Sequence, residues 1–201
     1  MRRQIRIDPA FAIALIYLLL FEHSVWGLLS LLAAALHEIG HLSAACLLHI
    51  RPAQITVGAL GARIGFSQRL LSYRDEFLIA AAGPAVNLIC LPLCLFGLRR
   101  LSSLDGAGER LLFFAAASLV LALLNLLPLR SFDGGRMLRA LCAVLLGDRA
   151  ADRILHVTTA ICGILLWCCA VSLWFSASGN LSFLLFAAVL LIRMVTNSFS
   201  R

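Results

Sequence analysis

An all-α polytopic membrane protein, with about six transmembrane helices and a small cytoplasmic-face β-hairpin between spans two and three, is the architecture this sequence implies. Three observations carry it: composition, recurring long apolar runs, and a one-sided distribution of arginine. The 201 residues are 62% hydrophobic and 13% charged, with a mean hydropathy of +0.97. Soluble domains have about 45–50% apolar and about 25% charged residues. A chain of this make-up has lipid for its solvent, and residues 1–201 are expected to form a single integral-membrane domain.

A helix needs about 20 apolar residues to cross a bilayer. The candidate spans are 9–21, 25–48, 77–98, 111–129, 154–175 and 180–197. The first is short, rising only about 20 Å, so it must recruit flanking residues or thin the bilayer. Its basic start, MRRQIR, suits a signal peptide, yet no A-x-A-like cleavage site follows, and a retained signal-anchor is expected.

All 17 basic residues are arginine, and the net charge is +7. In a soluble protein that excess would point to nucleic acid; here it orders the topology. With the N-terminus in the cytoplasm, every arginine except Arg99, Arg100 and Arg110 falls on the cytoplasmic side, as the positive-inside rule requires. Both termini are therefore expected on the cytoplasmic side of a bacterial-type cell membrane. The seven cysteines lie mostly inside apolar runs, without C-x-x-C spacing, and read as small reduced packing residues.

Between spans two and three, QITVGALGARIGFS mixes β-branched residues with Gly58, Gly61 and Gly65. Two readings stay open. One is a pair of short strands with a glycine turn, whose free edge around Val57 and Gly58 could receive an extended substrate peptide. The other is a glycine-rich loop packed under the helices. Residues 133–147 are expected to form a further helix at the cytoplasmic face.

Span two buries ionisable residues, in LAAALHEIGHLSAACLLHI. His37 and His41 are four apart, so on a helix they share a face one turn apart. H-E-x-x-H is a zinc-site pattern: two imidazole ligands, with Glu38 between them placed as general base. Inside a span it weighs more than in a soluble sequence, because ionisable residues in lipid are rare and usually functional. The competing reading is a pair of histidines hydrogen-bonding across helices as structural glue.

A catalytic zinc ordinarily has three protein ligands and one open position. Of the ten carboxylates, Asp8, Glu22, Asp105, Glu109, Asp148 and Asp152 lie in polar flanks or loops, and Asp75 and Glu76 suit a helix N-terminus. Asp133, in NLLPLRSFDGGRML, is the remaining candidate. Pro128 disrupts the helix one turn back, and Gly134 and Gly135 open further backbone conformations. Asn125 is a buried amide about one turn before the proline. Irregular backbone at membrane depth must line protein or a water-filled cavity. By helical rise His37 lies near mid-bilayer and Asp133 beyond the end of span four, so a helix that breaks and folds back is needed to bring them level.

These motifs resemble the site-2 protease family of intramembrane zinc metalloproteases. The resemblance rests on His37-Glu38-Ile39-Gly40-His41, on Asn125-Leu126-Leu127-Pro128 followed by Asp133-Gly134-Gly135, and on Ala82-Gly83-Pro84 with Asn87. It covers nearly the whole chain in order and spacing. It implies one zinc ion (Zn2+) held by His37, His41 and Asp133, with Glu38 carrying a proton from water to the leaving amine. Asn125 would hold substrate or the developing oxyanion. Asn87 is implied either as a substrate contact or as an interhelical hydrogen bond near Pro84, and Gly83 and Pro84 as structural.

The chain looks most like the compact sporulation type, which processes a membrane-tethered sigma-factor precursor, in a form without PDZ or CBS domain. The implied partners are a membrane-tethered protein substrate and a membrane regulatory protein, in regulated intramembrane proteolysis. Two rivals remain. A metal transporter should show related halves, and a non-proteolytic scaffold tends to lose Glu38 or a ligand.

Overall fold

The computed structural model describes residues 4–7, 25–50, 52–58, 61–66, 71–99 and 106–176. The expected spans 9–21 and 180–197 lie outside the described residues. The elements are β1 (Gln4–Ile7), α1 (Val25–Leu47), β2 (Pro52–Gly58), β3 (Gly61–Phe66), α2 (Tyr73–Leu98), α3 (Gly106–Asn125), α4 (Asp133–Leu146) and α5 (Asp148–Ser176). Among them α1, α2, α3 and α5 are long and apolar enough to cross a membrane. The chain divides into two compact units after Leu126.

In the first unit α1 buries Ala33, His37, Gly40, His41 and Ala45, the spacing of one helix face. Leu28, Leu32, Ile39 and Leu47 are exposed on the same helix, as lipid allows. Helices in a bilayer gain little by hiding leucine from lipid, so they associate through close packing of small residues. Gly40 shows how close. A Cβ there would lie 2.7 Å from the Ala82 carbonyl oxygen and 3.0 Å from Val86 Cγ2, so α1 meets the backbone of α2.

α2 carries Asp75 and Glu76 in its first turn, where anions meet the positive end of the helix. It therefore starts before the apolar run that marked the span at 77, because its first turn is helical but polar. It absorbs Pro84 and Pro92 in its interior. A Cβ at Gly97 would meet Leu111 Cδ2 at 3.0 Å, so α3 packs against α2 at this level.

The strands form one sheet in the order β1-β2-β3. β2 runs parallel to β1, with Ile5 opposite Ile55 and Ile7 opposite Val57. It runs antiparallel to β3, with Val57 opposite Ala62 and Gly58 opposite Gly61. Val57 thus has a strand on each side, which corrects the edge position expected of it. The reason is β1: QIRI has four residues, too few for periodicity to mark, yet it fills that side of β2. The outer edges belong to β1 and β3.

α3 stops at Asn125, short of the expected end of span four at 129. Pro128 has no N–H to continue the ladder and turns the residue before it away from helix. Beyond the break, in the second unit, the Phe132 N–H donates to the Leu129 carbonyl at 2.9 Å. The Arg130 N–H donates to Thr159 Oγ1 of α5 at 3.1 Å. The elbow then closes tightly on the start of α4. A Cβ at Gly135 would fall on the Leu129 carbonyl oxygen and lie 2.6 Å from the carbonyl carbon, so only glycine fits.

Gly135→Ala is expected to cost at least the ~1–3 kcal/mol typical of overpacking, because the obstacle is backbone. A thermal melt in detergent reads it directly; an unchanged melting temperature would mean that the elbow yields freely. α4 and α5 meet at Gly147, whose φ of 81° is the left-handed region that favours glycine. Arg139 ties the pair, donating to Asp152 at 2.9 Å and to Asp148 at 3.1 Å.

Candidate metal centre

The helical repeat puts His37 and His41 on one face of α1, and both rings meet α2 at the same place. Their centroids are 4.8 Å apart with planes at 84°, and both residues are buried. His41 Nδ1 lies 2.7 Å from the carbonyl oxygen of Ile79. A carbonyl only accepts, so Nδ1 carries the proton and Nε2 keeps its lone pair for a ligand. A carbonyl on the far nitrogen is a common way of orienting a metal-binding imidazole. This bond is itself interhelical, so His41 does act as glue, through Nδ1, and Nε2 remains for other work.

Both Nε2 atoms converge on Gly83 of α2. A Cβ there would collide with His41 Nε2, lie 2.5 Å from His41 Cε1 and lie 2.8 Å from His37 Nε2. Sequence reasoning marked Gly83 as structural; its position makes it the wall behind the two ligand atoms. The Ile79 carbonyl was missed altogether, since a backbone group has no signature in sequence.

In the second unit, Asp133 is the first residue of α4, after Phe132 in extended conformation (φ −110°, ψ 164°). It is buried, with Oδ1 3.7 Å from Arg136 Nη1 one turn on. The buried metal-ligating side chains that the sequence singles out are thus His37 and His41 in the first unit and Asp133 in the second. Two imidazoles and a carboxylate suit zinc, whereas calcium and magnesium favour oxygen ligands. The donor set fits the cation that the sequence suggests.

Glu38 follows His37 on α1 and is half-buried. Asn125 is the last residue of α3 and donates from Nδ2 to the Leu121 carbonyl at 3.0 Å. Its amide keeps a second N–H and its oxygen. Asn87 is 0% exposed, and neither of its amide atoms has a hydrogen-bond partner among the described residues. Direct contact with substrate does not fit that placement, and the interhelical hydrogen bond is not seen either. Val57 and Gly58 belong to β2.

Residues 102–169 match the model of peptidase family M50, a stretch that includes Asn125, Pro128 and Asp133. Comparison with curated proteins gives no match. Among solved structures, the fold is similar to that of the site-2 protease from Methanocaldococcus jannaschii, with a TM-score of 0.66 and 22% identity. The likeness covers 100% of this chain and 93% of that one.

Proposed function

We infer that this chain is a member of the site-2 protease family of membrane metalloproteases and acts as a zinc-dependent endopeptidase on membrane-tethered proteins. It would hydrolyse a peptide bond in or next to a transmembrane segment. The observation that carries the reading is the convergence of His37 Nε2 and His41 Nε2 on Gly83, with Glu38 beside them on α1; Asp133 is the third ligand we propose.

When bound, zinc supplies Lewis acidity that polarises a carbonyl and makes water a better nucleophile at neutral pH. The protein's own residues do the rest. Ile79 holds His41 in the tautomer that presents Nε2. Glu38 takes a proton from the attacking water and returns it to the leaving amine. Asn125, with an amide N–H still available, steadies the substrate carbonyl or the oxyanion that develops from it.

A transmembrane substrate hides its carbonyls in its own helical ladder, so it unwinds locally before attack. An outer edge of the sheet, β3 rather than β2, suits holding the unwound stretch by strand pairing. The arginine distribution supports a topology with both termini and the mouth of the site at the cytoplasmic face. Residues 1–201 then act as one peptidase domain. Regulated intramembrane proteolysis of a transcription-factor precursor, controlled by a membrane partner as in the sporulation type, is the setting we favour.

Metal analysis of detergent-purified protein tests the reading without knowing the substrate. The wild type should carry about one zinc per chain, and Asp133→Ala much less. A wild type without zinc after supplementation, or a variant with a full complement, would count against it.

A further inference from the structure

Two buried polar side chains of the first unit are not explained by the metal centre. Asn87 on α2 and Ser118 on α3 are each 0% exposed. Asn87 Nδ2, Asn87 Oδ1 and Ser118 Oγ all lack a hydrogen-bond partner among the described residues. Native proteins pair nearly all such groups, and a low-dielectric surrounding makes an unpaired one costly.

The two residues lie on packed neighbours, α2 and α3, each among the residues that its helix buries. Gly97 meets Leu111, and stepping ten residues back along α2 and ten forward along α3 brings Asn87 level with Leu121. Ser118 is one turn from that level, about 4.5 Å along the axis. Asn87 lies on the buried stripe of α2 with Ala80, Gly83 and Pro84, and Ser118 on that of α3 with Ala115 and Ala122. They do not bond each other, yet together they offer an amide donor, an amide acceptor and a hydroxyl that does either. A buried water typically makes about three hydrogen bonds to otherwise unsatisfied groups of this kind.

We propose that Asn87 and Ser118 hold one internal water molecule between α2 and α3. Neither side chain is charged, so the ligand is water rather than an ion. Asn87 stands one turn from Gly83 on the same face of α2. The bridge therefore fixes against α3 the part of α2 that backs the histidines, and Asn87 is a positioning residue rather than a substrate contact.

A structure of the wild-type protein at a resolution that shows solvent is the first test. We expect a peak about 2.7–3.2 Å from both the Asn87 amide and Ser118 Oγ. A double-mutant cycle on the melting temperature is the second. Asn87→Ala and Ser118→Ala should each lower it, and the double variant should fall no further than the worse single. A direct Asn87–Ser118 hydrogen bond, a partner supplied by another part of the chain, or additive losses would overturn the proposal. Should Asn87→Ala fail to fold, the solvent peak in the wild type decides alone.

Discussion

Glu38→Gln is expected to abolish cleavage of a membrane-tethered substrate while zinc content stays at the wild-type level. The substitution keeps the size and shape of the side chain and removes its ability to take a proton. General base catalysis contributes about 10²–10⁴-fold to such reactions, so the residual rate should be near the limit of a gel-based assay. Zinc is retained because the ligands we propose are His37, His41 and Asp133, and Glu38 is not among them. Metal analysis and cleavage in proteoliposomes, run on the same preparation, separate the possibilities. Loss of zinc in parallel with activity would make Glu38 a ligand or a structural residue. Persistent cleavage would move the general base elsewhere. Metal uptake into the vesicles by both proteins would favour the transporter.

The site was legible in the sequence where chemistry coincides with a short repeat. His37 and His41 declare themselves because four residues is one helical turn, and because charge is scarce in such a chain. Asp133 was reached by elimination among few carboxylates, and the break at Pro128 followed from a missing N–H. Other features left less trace. Leu126, Leu127 and Leu129 extend the apolar run past the end of α3, since hydropathy reports the solvent and not the course of the backbone. β1 is too short for alternation to stand out, and without it the sheet edges were misassigned. Asn87 was read as a substrate contact or an interhelical hydrogen bond, and which groups face it depends on the register of α2 and α3, which a single sequence does not encode locally. Gly83 was the hardest: a glycine says nothing about what it makes room for.

That room gives Gly83→Ala its consequence. The added methyl would sit on His41 Nε2 and 2.8 Å from His37 Nε2, so something must move. His41 cannot simply swing aside, because its Nδ1–H is held by the Ile79 carbonyl at 2.7 Å. His37 is packed edge to face against it. Either α2 retreats, taking the Ile79 carbonyl away from His41 Nδ1, or a ring leaves its place and parts the two nitrogens that a metal must find together. Altering groups that merely orient metal ligands costs about 10–100-fold in affinity, and an obstruction at the ligand atoms themselves should cost at least that. Competition for zinc against a chelator of known affinity measures it. Gly97→Ala is the control, since its methyl would meet Leu111 Cδ2 at 3.0 Å, in the contact of α2 with α3 about four turns from Gly83. Gly97→Ala should shift the melting temperature of zinc-loaded and zinc-free protein alike. Gly83→Ala should lower chiefly that of the zinc-loaded form, through the metal it no longer binds. Wild-type zinc affinity in Gly83→Ala would mean that the rings turn freely, and that Gly83 is not the wall of the site.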